Sequence, residues 1–452
     1  MVYKPYKSSL CVAMMLSLVA SFSPVYAEQD GSGVAATEKT ELTLDQCLQM
    51  ALSNAVNLAQ AEYEKSSASA DKLAGWGALL PNLSVTGNFN RSWGTSSTSG
   101  LGQWDQFFTT PEVSNQYRFT STMTVPLVSP LVWFNMLGSN AKSKSADLSY
   151  QIEREKLAVS LSRAYFAVLK AEELLSSAED SHQAAVRHLE LAKRMFELKG
   201  VSQVDVLTAQ TSEAEAHVAL ISARNGWEAA KMSLCYLIGL PVDTDIALED
   251  ISGTSPEIPE YQKCLDTALA ERKEILSLEK DLASANYAKW TAISAKLPSL
   301  AGVGSYYWSD DTLDFGDWSK NDGYSIGLQL SLNLFDGLSS EASIAKARAA
   351  KKLAEITQKQ NDQSISLEVR KAYLSAQEAS ERMVVAEQAL EQAGSELDLA
   401  ERRYELSAGS ILELTDAHAT YTKANTNYIN AVYDFQIAEI ELRKAMGTLQ
   451  LP

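Results

Sequence analysis

Two pairs of segments with strict apolar–polar alternation lie between long runs of three- and four-residue apolar spacing. In the first pair, Leu83, Val85, Phe89 and Trp93 alternate with Ser84, Thr86, Asn88, Asn90 and Ser92, and the return segment sets Phe119, Met123, Val125 and Leu127 against Arg118, Thr120, Thr122 and Thr124. In the second pair, Ile326, Leu328, Leu330, Leu332 and Leu334 alternate with Ser325, Gly327, Gln329, Ser331 and Asn333. A period of two with one apolar face predicts half-buried strands, at about 82–93, 116–127, 299–309 and 323–335. Ahead of the first pair a helical pattern, Leu44, Cys47, Leu48, Ala51, Leu52, then Leu58, Ala61 and Ala68, runs until Pro81, since the residue before a proline avoids helical geometry. Behind each pair comes a helix of unusual length, Lys142–Lys199 and Ser339–Ala408, reaching about 87 and 105 Å at ~1.5 Å per residue. A tight turn and a shorter helix, Ser202–Leu237 and Ser410–Met446, close each half.

The halves also match residue by residue. Cys47-Leu48 and Ala51-Leu52 return as Cys264-Leu265 and Ala268-Leu269, and Leu80-Pro81 as Leu297-Pro298, all 217 residues on. Tyr117 returns as Tyr324, 207 residues on. Tyr165, Phe196, Ser202, Asp205, Trp227 and Gly239 find Tyr373, Tyr404, Ser410, Glu413, Phe435 and Gly447, 208 residues on. The spacing predicts an internal two-fold repeat, 42–240 and 261–452, joined by a proline- and acid-rich linker at 241–260.

Composition changes the picture at the N-terminus first. Lys4 and Lys7, an apolar stretch from Leu10 to Val19 and the small-residue site Val25-Tyr26-Ala27 predict a secretory signal peptide at 1–27. A polar, flexible lead-in at 28–41 follows. The signal carries two lysines and no acid, so its removal takes the net charge from −18 to −20. That acidity argues against nucleic acid as a partner, because such binding rests on Lys and Arg neutralising phosphates.

No later stretch approaches 18 continuous apolar residues, so any membrane passage falls to the strands. Their length of about ten residues suits a tilted crossing. Aromatics cluster at their outer ends and loops (Trp93, Trp104, Phe107, Phe108, Tyr117, Tyr306, Tyr307, Trp308, Trp318 and Tyr324), as in the girdles of outer-membrane barrels. Four strands cannot close a barrel, whose smallest single-chain form has about eight. An open edge in lipid costs several kcal/mol per unpaired group, so copies must pool their strands. Two copies would give eight and three would give twelve; strand counting leaves both open.

The candidate chemistry is sparse. Cys47, Cys235 and Cys264 form no CxxC pair and read as buried free thiols. His182, His188, His217 and His418 show no metal-ligand spacing, and HExxH, GxSxG and P-loop motifs are missing. Asp310-Asp311 lies in a polar loop as a solvated pair. No enzyme activity, metal or cofactor is therefore expected. Glu413 and Asp416, three apart, share one face at the start of the last helix. They suit either acidic pore rings in an oligomer or complements to the helix dipole.

The repeated order of helix, Leu-Pro, strand pair, long helix, tight turn and helix resembles the TolC family of outer-membrane efflux and secretion channels. The words that carry it are the Ala51-Leu52 after Leu44-Asp45-Gln46-Cys47, Leu80-Pro81, Leu297-Pro298, the turn segments Phe196–Gln210 and Arg403–Ala417, and the closing Gly239 and Gly447-Thr448-Leu449. They span about 42–450. The resemblance implies a mainly α homotrimer sharing a 12-stranded transmembrane β-barrel and a long α-helical barrel, placed in the outer membrane and periplasm of a Gram-negative-type cell. It also implies outer-membrane lipid around the barrel, a periplasmic adaptor (membrane fusion protein), and an inner-membrane pump or ABC transporter. The cargo would be small molecules or proteins. It places Glu413 and Asp416 at the periplasmic aperture, Asp205 against Tyr404 as a gate contact, and Lys199, Gly200, Ser407 and Gly409 on adaptor-facing tips. Five residues depart from the family pattern. Ala55-Val56 stands where Asn-Pro is usual, Lys199 and Ser407 stand where glycine is frequent, and Gly409 stands where some members carry a basic residue. Gly200 and Gly409 are expected to serve the turns instead. An exported coiled-coil structural or adhesion protein with a small β-domain is the alternative; it accounts for the long helices but not for the recurring strands or their aromatics.

Overall fold

The computed structural model describes residues 41–97, 109–249, 258–313, 321–406 and 408–449. The expected signal peptide at 1–27 and the expected lead-in up to residue 40 lie outside them, as do Trp104, Phe107, Phe108, Trp318 and Ser407.

A two-residue strand, β1 (Glu41–Leu42), leads into helix α1 (Leu44–Asn54), which opens on a capping box: the Thr43 hydroxyl accepts from the Gln46 N–H and the Gln46 side chain accepts from the Thr43 N–H. The chain breaks at Ala55 (φ −69°, ψ 118°) and resumes as α2 (Val56–Gly77). The hairpin β2 (Asn82–Ser97) and β3 (Thr109–Val128) follows. Next come α3 (Pro130–Glu197) and α4 (Gln203–Ile238). Strand β4 (Ala247–Leu248) pairs in parallel with β1. Helices α5 (Tyr261–Glu271) and α6 (Lys273–Ser294) are separated by an equivalent break at Arg272 (φ −66°, ψ 125°). Strands β5 (Ser299–Asp310) and β6 (Asp322–Ser331), then α7 (Ser339–Glu405) and α8 (Ile411–Met446), complete the order. The bend after the first helix thus forms without the family's proline. A left-handed glycine backs each break: at Gly239 (φ 77°) a Cβ would meet Asn54 at 2.6 Å, and at Gly447 (φ 73°) it would meet the Arg272 backbone at 3.1 Å.

Helices α3 and α7 run 68 and 67 residues, about 100 Å each. Helix α3 starts twelve residues before Lys142, where the sequence pattern placed it. Pro130 occupies the first helical position, where its missing N–H leaves no bond unmade. Helices α2 and α6 flank the strand-proximal part of α3, with α7 beside α6; farther on, α4 and α8 pack against α3, and α8 against α7. Two alanine seams line the α7–α8 pair. Ala379, Ala386, Ala393 and Ala400 on α7, and Ala417, Ala424, Ala431, Ala438 and Ala445 on α8, are all buried. Each recurs at seven residues, the period of helices that supercoil with a left-handed twist.

At mid-length, Cys47, Leu48 and Ala51 of α1 pack with Leu161, Tyr165 and Phe166 of α3 and Leu234, Cys235 and Ile238 of α4. The Tyr165 hydroxyl lies 2.6 Å from the Glu249 carbonyl and 3.2 Å from that of Leu42, tying the β1–β4 pair to α3. Cys47, Cys235 and Cys264 are buried free thiols, and burial, with Cys235 adding, pushes Cys47 up to about 11.

Strands β2, β3, β5 and β6 form one antiparallel sheet in that order. The first hairpin is longer than the alternation alone predicts, because Gly94–Ser97 keep pairing with Glu112–Thr109 beyond the apolar residues. The last strand is shorter, ending at Ser331 rather than 335. Ser331 already faces Ser299, the first residue of β5, so Leu332–Phe335 have no partner strand.

Candidate functional sites at the strand band and the hairpin tips

The register gathers most apolar residues of the four strands on one face, Val303 and Tyr307 of β5 excepted. Leu83 lies opposite Met123, Phe89 opposite Tyr117 and Phe119 opposite Trp308. Tyr306 lies opposite Tyr324, and Leu300 opposite Leu330. Most of this face is bare: Ile326 is 88% and Leu328 72% exposed, and Leu83, Val85, Phe89 and Trp93 are all exposed. The other face carries Ser84, Thr86, Asn88, Thr120, Thr122, Ser305, Ser325 and Gln329. Aromatics rim the band at both ends. Phe89 and Tyr117 (ring centroids 4.7 Å apart), Trp93 and Tyr324 lie at one end. At the helix end stand Trp76, Trp133, Phe335 and the stacked pair Phe134–Trp290 (5.9 Å). Among the described residues no helix is long and apolar enough to cross a membrane. An exposed apolar face this wide, rimmed by aromatics and backed by a polar face, is built for lipid on one side and water on the other. β2 and β6 are both free edges, and they run in opposite directions.

At the far end, α3 and α4 are joined by a Schellman turn. The Gly200 N–H donates to the Met195 carbonyl at 2.8 Å and the Lys199 N–H to that of Phe196 at 2.9 Å. The left-handed position of this turn is Lys199 itself (φ 59°), so Gly200 does not supply the unusual conformation expected of it. Gly409 likewise has no positive φ. The turn sequence requires the left-handed residue one place after the C-cap Leu198, and that place holds Lys199. In the second hairpin the Ala408 N–H donates to the Arg403 carbonyl at 2.8 Å, completing the corresponding turn.

The helices that leave the two turns are capped differently. Ser202 and Asp205 form a full capping box, with Asp205 accepting from the Ser202 N–H at 2.7 Å and its hydroxyl at 2.9 Å. Ser410 accepts from the Glu413 N–H at 3.1 Å, but the Glu413 carboxylate turns to Arg403 at 2.6 Å. Asp416, one turn on, is exposed and has no side-chain partner among the described residues. Tyr404 is only 3% exposed, packed with Ala192, Ala209, Ala400, Ile411, Leu414 and Ala417. Its hydroxyl has no hydrogen-bond partner among the described residues. Burial, then the negative charge of Asp205, pushes its pKa up. Asp205 and Tyr404 are thus near enough to interact electrostatically, yet the hydrogen bond expected between them is not made, because Asp205 is committed to Ser202.

All four histidines lie in the tip-ward half of the helical hairpins. His188 and His418 meet across the α3–α8 seam, with ring centroids 5.8 Å apart. The His418 Nε2 lies 3.1 Å from the Ser181 hydroxyl, and the His188 Nε2 lies 3.8 Å from Glu401. Burial, then His418 and Arg187, pushes His188 down to about 4. His182, Glu213 and His217 form a second group, across α3 and α4.

The sequence profile described as "Outer membrane efflux protein" matches residues 47–240 and again 264–448. The chain belongs to the outer membrane efflux protein family. Outer membrane protein TolC of Vibrio cholerae is 25% identical over 379 residues, 82% of this chain and 83% of that protein. The alkaline protease secretion protein AprF of Pseudomonas aeruginosa is 25% identical over 411 residues, 88% and 83% of the two chains. Among solved structures, the CmeC outer membrane channel of Campylobacter jejuni superposes with a TM-score of 0.79 at 17% identity, covering 90% of this chain and 85% of that one. The outer-membrane channel OprN gives 0.78 at 18% identity, covering 90% and 91%.

This efflux-family protein is an outer-membrane exit duct, and its fold is the mostly helical, strand-bearing one of those channels. Within it, three features were missed in the sequence. Arg403 neutralising Glu413 could have been suspected only from a turn geometry that pattern does not give. The aromatic rim at the helix end is scattered over four separate segments. The histidines show no metal-ligand spacing along the chain, yet helix packing brings His182 to Glu213 and His217. The only prior signal was the four-residue step from Glu213 to His217, which puts both on one face.

Proposed function

We propose that three copies assemble into one duct, pooling four strands each into a 12-stranded barrel and α3, α4, α7 and α8 of each into a twelve-helix tunnel. The observation that carries this reading is the open four-stranded sheet whose apolar face is bare and whose two edges are unpaired. An even number of strands leaves β2 and β6 antiparallel to one another, so β6 of one copy can pair with β2 of the next and keep the alternation of outer-membrane barrels. The helical part then lies in the periplasm.

The duct works as the outer component of a tripartite efflux pump or a type I secretion system, with a periplasmic adaptor and an inner-membrane pump or ABC transporter. Relatives include an alkaline protease secretion protein and a probable efflux pump outer membrane protein, TtgC of Pseudomonas putida, 24% identical. We assign cargo choice to the inner-membrane partner. The adaptor meets the hairpin tips around Lys199, Gly200, Ser407 and Gly409. The equivalent apolar residues Leu198 and Leu406 stand 83% and 79% exposed there, and Val204 and Leu412 are exposed beside them. The tunnel narrows at these tips, where Asp416 supplies the open acidic ring and Glu413 joins it when its pair with Arg403 opens.

Native mass measurement in detergent tests the assembly. A trimer that inserts into planar bilayers as a single conducting unit is expected; a water-soluble monomer that forms no channels would overturn it.

A further inference from the structure

His182 on α3 and Glu213 and His217 on α4 lie away from both the lipid band and the tip residues. We propose that these three side chains form a binding site for a divalent transition-metal ion of the zinc class. The His182 Nε2 lies 3.2 Å from a Glu213 carboxylate oxygen, and the two imidazole centroids are 5.0 Å apart. One ligand atom from each of the three residues lies within 4.8 Å of the others. Tetrahedral zinc with bonds of ~2.0–2.1 Å needs ligand atoms about 3.3 Å apart. His182 and Glu213 already have that separation. His217 has to close at most about 1.5 Å to reach the ligand spacing of a tetrahedral site. It is exposed and makes no hydrogen bond among the described residues, so no hydrogen bond opposes rotation of its imidazole.

The donor set selects the ion. Two imidazoles and one carboxylate, with a fourth position left to water, match zinc, whereas calcium and magnesium favour all-oxygen shells. Packing alone does not call for these residues. The second hairpin brings α7 and α8 together with Leu390, Tyr421 and Asn425 at the equivalent positions, and Tyr421 simply packs 3.7 Å from where a Gly394 Cβ would stand. In the first hairpin the ion would bridge α3 to α4 about 23 Å from the turn, at ~1.5 Å per residue. It would clamp the two arms of one tip and leave the other unclamped.

The test is zinc titration of the full-length, chelator-stripped protein in detergent at neutral pH, with cobalt as a spectroscopic stand-in. One zinc per chain is expected, and cobalt should give the visible bands of a four-coordinate site. His182→Asn and His217→Asn should each weaken zinc binding by at least about 100-fold, since loss of outer-sphere partners alone costs 10–100-fold. His188→Asn, in the other histidine pair, should leave binding unchanged. Zinc retained at the same stoichiometry by the His182→Asn/His217→Asn double variant would overturn the assignment. So would a wild-type protein that binds no zinc or gives only the weak spectrum of six-coordinate cobalt, and that wild-type measurement stands even if a variant fails to assemble.

Discussion

Arg403 holds the Glu413 carboxylate at 2.6 Å across the turn between α7 and α8, while Asp416, three residues on, stands exposed. Two acids on one helix face are therefore not equivalent. A paired carboxylate contributes little to the field in the tunnel, and an unpaired one contributes its full charge. Asp416→Asn should reduce cation preference in planar bilayers more than the Arg403→Ala/Glu413→Gln double substitution, which removes both charges of the pair, does. Arg403→Ala alone should increase it by releasing Glu413. Reversal potentials under a salt gradient measure all three, and an equal loss in Asp416→Asn and in the double variant would contradict the assignment.

The glycines behind the helix breaks offer a stability test. Gly239→Ala forces a side chain into a left-handed conformation and against Asn54, so it should destabilise the assembled protein by more than the ~1–2 kcal/mol of the backbone term alone. Gly226→Ala, on the exposed surface of α4 with nothing near its would-be Cβ, should stabilise by about 0.5–1 kcal/mol. Thermal unfolding followed by helical circular dichroism separates them, with shifts of opposite sign.

Arg272, at the second break, is 3% exposed and bridges Glu274 and Glu368 at 2.7 Å each. Glu368 also takes Lys444. Removing the arginine leaves Glu274 part-buried without its partner. Arg272→Ala should cost about 3–5 kcal/mol, whereas Arg272→Ala with Glu274→Gln should recover part of it. Denaturant unfolding of the two variants checks the order.

Acid should loosen the α3–α8 seam. His188 sits near 4 in the folded chain because of burial first and then His418 and Arg187; unfolded, it titrates at its ordinary 6.5. Between those values the unfolded chain binds the extra proton. The stabilisation is thus complete above pH 6.5, declines as pH falls, and is lost near pH 4. The loss is on the order of 2 kcal/mol, discounted for partial solvation. Glu401, which faces His188 at 3.8 Å, and the partly buried His418 act within the same cluster. His188→Leu should flatten stability between pH 6.5 and 4; an unchanged pH profile would count against the mechanism.

Much of this architecture was legible because period is a local property. The alternation from Leu83 to Trp93 and from Ile326 to Leu330 needs only neighbouring residues to be read, and so does the helical spacing through Tyr165. The seven-residue alanine steps from Ala379 to Ala400 and from Ala417 to Ala445 were equally present in the sequence, though alanine's small side chain gives a weak apolar signal. Features created by packing were not legible. The Arg403–Glu413 pair, the unsatisfied Tyr404 hydroxyl and the meeting of His182 with His217 each depend on how two helices approach. The left-handed Lys199 shows the same limit at short range, since a glycine one residue away drew the turn to the wrong position.

The proposed duct stands or falls on whether the bare four-stranded sheet is completed by its neighbours in the membrane. Cysteines placed on the two free edges decide this: Thr86→Cys on β2 scanned against Ser325→Cys, Gly327→Cys and Gln329→Cys on β6, with the native cysteines replaced. Oxidation in outer-membrane preparations should yield cross-linked dimers and trimers for one register of the pair and nothing larger. A protein that stays monomeric at every register would contradict the shared barrel.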